Sequence, residues 1–227
     1  MKTFEKLENR YIFTGQVVLK EAIHIGSRES NERADSPFVR SNGRFYIPGS
    51  SLRGAMRSTV ERIVYSLDKN SCLLFDSESS KCISVNQDTQ EKYQNIVERD
   101  SESEFKKEQE LINFLDNHLC DTCKVFGSPY FASKLKISDL YPSDNEDPQG
   151  VVRTGIAIDR DTGTTVKGAL FEIETLEKGC SFEFELIGEN LDTNDLGLLG
   201  IGLFEMMGGE FYIGANSASG LGKCGLC

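Results

Sequence analysis

The sequence predicts an α+β fold in which strands and two amphipathic helices alternate within one domain of 227 residues. Three observations support this prediction. Residues 11–26 combine β-branched and aromatic side chains with partial alternation, as a strand does. Residues 49–67 carry apolar side chains at helical spacing, and residues 196–209 are apolar enough to form a second, buried helix. A chain of this length can bury a sizeable core as one domain spanning residues 1–227.

The first third of the chain predicts a strand, a surface loop and the clearest helix. The strand ends at Gly26, and residues 27–36 are charged without apolar periodicity, so they are expected to cross the surface before Pro37. Residues 44–48 form a short strand. Ser50 or Ser51 is expected to cap the helix at 49–67, whose apolar stripe faces a core. That stripe consists of Leu52, Met56, Val60, Ile63, Val64 and Leu67.

The middle of the chain is polar and acidic from about residue 70 to 117 and offers little to bury. We interpret residues 70–126 as an insertion. Its second half, residues 104–119, is partly amphipathic, which predicts a helix leading into Cys120.

The last part of the chain predicts strands, a hairpin and the second helix. Alternation favours strands at 134–142 and 182–189, and a projecting hairpin at about 142–168 turns at Asp161–Thr165 and continues into a strand through Phe171–Leu176. Asp192 or Asn194 begins the last helix. A closing strand, a glycine-rich loop at 214–222 and a short return follow. This order fits a ferredoxin-like βαββαβ core with insertions.

The charge distribution is uneven. The formal net charge is −11, which disfavours a simple nucleic-acid binder, but residues 1–67 hold eleven basic and seven acidic residues. Guanidinium groups suit bidentate phosphate contacts. A solvated surface with scattered charges is the alternative. The arginines in question are Arg28, Arg33, Arg40, Arg44, Arg53, Arg57 and Arg62.

Two arginines at the start of the first helix are expected to face phosphate. Arg53 and Arg57 are four residues apart and therefore lie on one face of the helix. The turn Gly49–Ser51 precedes them, and the unpaired N–H groups of a helix start favour anions.

Cysteine usage indicates a metal site. No apolar run is long enough to cross a bilayer, and the N-terminus lacks the features of a signal peptide, so we expect a reducing cytoplasm, where seven cysteines indicate metal ligands or free thiols. Cys120 and Cys123 have the C-x-x-C spacing with which one loop donates two thiolates to zinc, and Cys72 and Cys82 could complete a closed structural site. His118 is the competing ligand. A redox role for C-x-x-C would need a thioredoxin-like setting that the sequence lacks. Cys180 is expected in the core, and Cys224 and Cys227 as free thiols.

Several motifs occur in a fixed order: YIPGSSLRGAMRS, CDTCKVFGS, IAIDRDTG, GALFEIETLEKG and GANSASGLGKCG. Together they resemble the RAMP superfamily, and more narrowly the repeated backbone subunit of type III CRISPR effectors, including type III-D and cyanobacterial relatives. The match covers nearly the whole chain and leaves mainly residues 76–110 unmatched. The resemblance implies an RRM-like core that lies along guide RNA, stacked homologous subunits, and a hairpin, the thumb, that interrupts the guide–target duplex.

The resemblance also implies a catalytic residue. The segment NERADSPFVR is similar to the family loop whose aspartate directs cleavage of target RNA, which points to Asp35. A carboxylate there can help the 2′-hydroxyl attack or bind Mg²⁺ or Mn²⁺. A turn or cap aspartate before Ser-Pro is the structural alternative. Some family subunits lack this residue and only bind RNA.

The expected RNA contacts come from the helix start, the hairpin and the glycine-rich loop. An ordinary exposed hairpin and an ordinary glycine turn are the alternatives. The loop departs from the family pattern because no basic residue lies inside it, and Lys223 follows instead. The RNA-binding candidates are Arg40, Gly49, Ser50, Ser51, Arg53, Arg57, Arg153, Arg160, Lys167, Gly214, Asn216, Ser217, Ser219, Gly220, Gly222 and Lys223.

Three other functions are compatible with these patterns. A subunit of the same complex can bind without cutting. A guide-processing ribonuclease usually needs a histidine base, and this chain offers only His24 and His118, of which His24 has the setting of an ordinary strand histidine. An unrelated zinc-stabilised interaction protein would bind no RNA.

Overall fold

The computed structural model describes residues 3–27, 34–67, 70–73, 80–99, 103–144 and 146–227. Arg28 and Arg33 of the predicted basic group lie outside these residues. The elements follow in chain order as β1 (Arg10–Leu19), β2 (Arg40–Ser41), β3 (Arg44–Phe45), α1 (Gly49–Ser66), α2 (Gln87–Glu98), α3 (Glu104–His118), α4 (Asp121–Phe126), β4 (Leu135–Ile137), β5 (Gly150–Ile158), β6 (Thr165–Leu176), β7 (Ser181–Glu189), α5 (Thr193–Gly208), β8 (Phe211–Tyr212) and β9 (Lys223–Leu226).

The central sheet has the strand order β4-β7-β1-β9-β8. Strand β1 pairs antiparallel with β9, with Val17 opposite Leu226, and β9 pairs antiparallel with β8. The succession β1, α1, β4, β7, α5, β9 is a βαββαβ order. The predicted α+β class is therefore confirmed, and the sheet is compatible with a ferredoxin-like core.

The chain divides into two compact units, each built from three segments. The cysteine unit contains Met1–Ile12, Met56–Lys136 and Ile187–Gly202, and the hairpin unit contains Phe13–Ala55, Ile137–Leu186 and Leu203–Cys227. The prediction of one domain with an insertion at 70–126 stays a prediction.

The cysteine unit is built around a small apolar cluster. Ile83, Leu115 and Leu119 are buried with the four predicted cysteine ligands, and Tyr93 and Phe114 pack against them. Helix α3 confirms the predicted helix before Cys120. Helix α2 was not predicted: its cap is Asn86, whose side chain accepts a hydrogen bond from the N–H of Thr89. The polar middle segment therefore buries more than its composition indicates.

The hairpin unit contains the projecting pair β5 and β6. Their register runs from Gly150 opposite Leu176 to Ile158 opposite Thr165. The predicted hairpin at about 142–168, which continues into a strand through Leu176, corresponds to β5 and to β6, which is continuous as far as Leu176. Asp159 organises the turn, since its Oδ1 accepts hydrogen bonds from the N–H groups of Asp161 and Thr162.

The predicted end of the first strand and the predicted cap of the first helix are wrong, and both differences come from residues far away in the sequence. Strand β1 ends at Leu19 because the N–H groups of Lys20 and Glu21 both donate to the carbonyl of Lys223, which turns the chain. Helix α1 begins at Gly49 and is capped from outside, because Asp139 Oδ1 accepts from the Gly49 N–H at 2.9 Å. The predicted caps, Ser50 and Ser51, therefore lie in the first turn.

Helix α5 begins where the sequence predicts. Asp192 Oδ1 accepts a hydrogen bond from the Asp195 N–H, and Asp195 Oδ2 accepts one from the Asp192 N–H. Asp195 also forms a buried ion pair with Lys134 at 2.6 Å within the cysteine unit. Among the described helices, none is both long and apolar enough to span a membrane.

Candidate functional site

Four buried cysteines converge in the cysteine unit. Their sulfur atoms, those of Cys72, Cys82, Cys120 and Cys123, all lie within 4.8 Å of one another. The Cys120–Cys72, Cys72–Cys123 and Cys82–Cys123 sulfur pairs are 3.5, 3.6 and 3.9 Å apart. Tetrahedral thiolates with metal–sulfur bonds of about 2.3 Å are about 3.8 Å apart. The cluster therefore has the spacing to hold one metal ion with four sulfur ligands.

Polar groups surround these sulfur atoms. The hydroxyls of Ser84 and Thr122 lie 3.2 Å from Cys123 Sγ and Cys120 Sγ, and the Cys120 N–H donates to Cys82 Sγ. Hydrogen bonds with Cys123 and then Cys72 lower the pKa of the Cys120 thiol to about 7. Groups that donate hydrogen bonds to thiolates support metal binding. By contrast, burial raises the pKa of Cys224 to about 12, as for an inert core thiol.

His118 is not part of this cluster. Its Nδ1 contacts the carbonyl oxygen of Phe114 at 2.8 Å, and its ring stacks on the Phe114 ring at 4.0 Å. The four cysteines lie together without it. The geometry thus favours the all-cysteine ligand set over the competing histidine.

Arg57 is engaged with the cysteine cluster. Its Nη2 donates to Cys123 Sγ at 3.3 Å, its Nη1 to the carbonyl of Gly127 at 2.7 Å, and its Nε to Glu61 at 2.7 Å. Only 24% of its side chain is exposed. We expected Arg57 to bind phosphate beside Arg53. Because its guanidinium is already committed to three partners, we revise that role to one of supporting the cluster.

Replacing Arg57 by glutamine is expected to lower the affinity for the cluster's metal by about 10- to 100-fold, because a donor to a ligand sulfur is lost. Competition with a chelating dye measures this affinity. Arg53→Gln is the matched control: it removes the same charge from the same helix at an exposed position. Equal metal affinity in the two variants would contradict a role for Arg57 at the cluster.

Asp35 is exposed in the hairpin unit, and the backbone of β6 holds it in place. Its Oδ2 accepts a hydrogen bond from the Glu172 N–H at 2.9 Å. The neighbouring residue, Ser36, donates its N–H to the Glu172 carbonyl and accepts from the Glu174 N–H, both at 3.0 Å. The segment thus runs as a short parallel partner beside β6. The Asp35 carboxylate is exposed and lies beside β6, near the base of the hairpin.

Arg40 is anchored beside this segment. Its Nη2 contacts Glu174 Oε1 at 2.5 Å, and its guanidinium lies 4.1 Å from the centre of the Phe45 ring. Glu174 is buried, and its other oxygen accepts from the Phe38 N–H. The Arg40 side chain is 27% exposed, so contact with a ligand remains possible only through its exposed edge.

The base of the hairpin and the glycine-rich loop line one cleft of about 220 Å³. Arg153, Thr154 and Phe171 contribute from β5 and β6, and Asn216 and Ser219 from the loop. Cation, hydroxyl, amide and aromatic ring together suit one nucleotide. Arg153 also contacts Glu177 at 3.2 Å. Two further predicted contacts, Arg160 and Lys167, are exposed along the hairpin.

Close packing requires glycine at two positions of the glycine-rich loop but not at a third. Gly214, Gly220 and Gly222 all have positive φ. A Cβ on Gly214 would lie 2.3 Å from the His24 carbonyl oxygen, and one on Gly222 2.5 Å from that of Ile213, so close internal packing explains these two. A Cβ on Gly220 would meet nothing within 4 Å.

Four side chains in or directly after the glycine-rich loop were predicted to contact RNA, and three of them are open to a ligand. Asn216, Ser217 and Ser219 are exposed, whereas Lys223 pairs with Glu210 at 2.9 Å. At the start of α1, Ser50 and Arg53 are likewise exposed and Ser51 is half-buried. Gly49 is buried, and its N–H is used by Asp139.

Sequence reasoning missed the apolar surface of the hairpin and the buried groups behind Asp35. Ile156, Ile158 and Leu170 are more than half exposed on β5 and β6. Their position in the predicted hairpin was the available signal. Glu174 gave no such signal, because its partners Phe38 and His24 are more than 130 residues away in sequence.

Known proteins are similar to this chain over most of its length. A family model described as the RAMP superfamily matches residues 17–225. The chain is 26% identical, over an alignment of 238 residues covering 96% of it and 78% of the relative, to the CRISPR system Cms endoribonuclease Csm3 of Methanocaldococcus jannaschii. It is also 39% identical to the protein of that name from Methanothermobacter thermautotrophicus, over 61 residues that cover 25% of each chain.

Proposed function

The chain belongs to the RAMP superfamily, and on this basis we propose that it is an RNA-binding endoribonuclease subunit of a CRISPR effector complex. One observation carries the proposal: an exposed aspartate is fixed at the base of a projecting hairpin, in a chain similar over 96% of its length to a named endoribonuclease. Guide RNA, complementary target RNA and stacked homologous subunits are the proposed partners.

The proposed RNA interface uses exposed groups of the hairpin unit. Arg53 and Ser50 at the start of α1, with Asn216, Ser217 and Ser219 of the loop, offer donors to phosphate. Base pairing between guide and target supplies the sequence specificity, so the protein needs only backbone contacts. The acidic remainder disfavours RNA elsewhere on the surface.

The proposed role of the β5–β6 hairpin is to separate bases. Its exposed apolar side chains suit insertion between stacked bases, and Phe171, which is 49% exposed, can stack against an unpaired base in the cleft with Asn216. Arg160 and Lys167 add charge along the hairpin for phosphate.

Asp35 would act on the phosphodiester of a splayed target nucleotide. The carboxylate accepts the proton of the 2′-hydroxyl, whose oxygen forms a bond to phosphorus while the bond to the 5′-oxygen breaks. The leaving 5′-oxygen takes a proton from water, so the products would be a 2′,3′-cyclic phosphate and a 5′-hydroxyl. The Glu172 N–H fixes one carboxylate oxygen and thereby sets the direction of the other.

Asp35 offers one carboxylate to a divalent cation, and Mg²⁺ is often held by one or two carboxylates together with substrate phosphates. The donor set therefore fits a cation bound jointly with RNA. When bound, Mg²⁺ or Mn²⁺ would stabilise the negative charge that develops on the phosphate oxygens.

For the four-cysteine cluster we propose structural zinc. Four thiolates at tetrahedral spacing are typical of zinc, and a closed ligand set leaves no position for substrate. The metal would stabilise the cysteine unit rather than take part in cleavage.

Arg53→Gln is expected to weaken RNA binding about 5-fold at low salt and to reduce the slope of log Kd against log salt by about 0.7 to 0.9, because one phosphate contact is lost. Filter binding of the guide RNA at several salt concentrations measures both. Arg99→Gln is the control, since it removes the same charge from an exposed position in the cysteine unit. Equal slopes for both variants would contradict the proposed contact.

The complex reconstituted with guide and labelled target RNA tests the function itself. We expect cleavage of complementary target only, dependent on a divalent cation. Cleavage of precursor guide RNA by the chain alone would favour the guide-processing ribonuclease. Target binding without cleavage would favour the non-cutting subunit.

A further inference from the structure

His24 connects three segments of the hairpin unit that the proposed function uses. It is 4% exposed. Its Nδ1 contacts the carbonyl oxygen of Glu174 in β6 at 2.7 Å, and its Nε2 contacts the hydroxyl of Ser36 at 3.2 Å. Its own carbonyl accepts from the Ala215 N–H of the glycine-rich loop at 2.9 Å. We infer that His24 is a positioning residue, which orients Asp35 through Ser36. This inference rests on the proposed function.

The contacts define the proton arrangement of the His24 ring. A carbonyl oxygen only accepts hydrogen bonds, so the ring must carry its proton on Nδ1 to bond Glu174. In the neutral ring Nε2 is then an acceptor, and the Ser36 hydroxyl donates to it. The imidazole thus fixes the direction of one hydroxyl.

The Ser36 hydroxyl makes the fourth hydrogen bond that holds Asp35 and Ser36 in place. Two backbone hydrogen bonds already hold Ser36 to β6, and the Asp35 carboxylate accepts from the Glu172 N–H. Backbone hydrogen bonds also join Ser27 to Pro37 and Val39 to Ile25, so the chain after Ser36 is held as well. The bond from the Ser36 side chain into the buried imidazole adds a side-chain contact directly next to Asp35, and this contact sets the angle at which Asp35 meets a phosphate.

The space around this contact is closed. A Cβ on Gly26 would lie 2.8 Å from Ser36 Oγ and 3.3 Å from His24 Nε2. A Cβ on Gly214 would lie 2.3 Å from the His24 carbonyl oxygen. Glycines on both sides let the Asp35 segment and the glycine-rich loop approach the histidine closely, so its position is over-determined by packing.

His24 is not placed to act on RNA directly. Both ring nitrogens have partners inside the protein, and the ring is buried. A general base must reach the proton that it removes. The effect of His24 on the reaction therefore passes through Ser36 and Asp35.

Two substitutions at His24 test its two ring nitrogens one at a time, because each can retain the hydrogen bond of only one of them. His24→Asn places an amide near the position of Nδ1. The amide can keep the hydrogen bond to the Glu174 carbonyl, but it loses the hydrogen bond from the Ser36 hydroxyl. His24→Gln reaches the position of Nε2 and can still accept from Ser36. Ser36→Ala removes the hydroxyl and leaves the histidine intact. His118→Gln, at the other histidine of the chain, is the control.

The measurement is the single-turnover rate of target cleavage, with the Kd of target RNA, in the reconstituted complex. We expect His24→Asn and Ser36→Ala to slow cleavage about 10- to 100-fold with Kd unchanged within about twofold, because small displacements of a catalytic group have effects of this size. His24→Gln should retain the rate within about threefold. In the free wild-type chain, ¹H–¹⁵N correlation NMR should find the imidazole proton on Nδ1.

Two results would overturn the inference. Wild-type rates in both His24→Asn and Ser36→Ala would show that the bond does not orient Asp35. A rate loss in His24→Gln equal to that in His24→Asn, or a parallel loss of target affinity, would indicate a general structural role. If Asp35→Asn also cleaves normally, the proposed catalytic role of Asp35 fails; if Asp35→Asn is inactive, only the His24 inference fails.

Discussion

Asp35→Asn should abolish target cleavage by the assembled complex, with a rate at least about 100-fold below wild type. Asparagine can still accept the Glu172 N–H through its amide oxygen, so the segment stays attached to β6. Only the negative charge is lost. Target affinity should therefore remain within about twofold, and the single-turnover rate with labelled target RNA measures the effect.

Asp35→Ala and Asp161→Asn complete this experiment. Alanine removes both the charge and the attachment, whereas Asp161→Asn removes the same charge from an exposed position in the hairpin turn. We expect Asp35→Ala to be inactive and Asp161→Asn to cleave normally. Normal cleavage by Asp35→Asn together with an inactive Asp35→Ala would assign Asp35 to holding the loop, and would refute its catalytic role.

Cys120→Ser or Cys123→Ser should cause the largest loss of stability, about 5 kcal/mol or more, because binding of a structural metal contributes directly to folding. The four thiols share an apolar cluster with Ile83, Leu115 and Leu119, and this cluster is too small to hold the cysteine unit together alone. Urea unfolding measures the loss, and elemental analysis should find one zinc per wild-type chain.

Cys227→Ser is the matched control, because Cys227 is exposed at the C-terminus. It should bind zinc and unfold as the wild type does. Treatment of the wild type with a strong zinc chelator should reproduce the effect of Cys123→Ser. Full stability of Cys120→Ser and Cys123→Ser without bound metal would refute the structural metal site, and would leave the four thiols as ordinary core residues.

The two predictions report on different units of the protein. Asp35 belongs to the hairpin unit, and all four cysteines belong to the cysteine unit. A chain without zinc that still cleaves target RNA would separate stability from catalysis. A chain with Asp35→Asn that is folded and holds zinc but does not cleave would also separate stability from catalysis, because catalysis would be lost while stability is kept.

Local patterns were enough to predict the elements that depend on periodicity. Helix α1, helix α3 and helix α5 follow from apolar residues at helical spacing, and the β5–β6 hairpin follows from alternation around a turn rich in Asp, Thr and Gly. The candidate metal ligands Cys120 and Cys123 were predicted from their C-x-x-C spacing. Cys72 and Cys82 were predicted as further ligands because they bracket the polar insertion, and the structure brings their sulfur atoms to the same cluster.

Only the tertiary structure decided what the polar groups do. Arg57 and Arg53 are equivalent in the sequence of α1, yet Arg57 donates to a sulfur 66 residues away while Arg53 is exposed. Asp139 caps α1 from 90 residues away, and Asp35 bonds a backbone 137 residues away. Periodicity reports which face of an element is buried, since that depends on neighbours in the chain. The partner of a charged group depends on which distant segment packing brings beside it, and no local pattern encodes that.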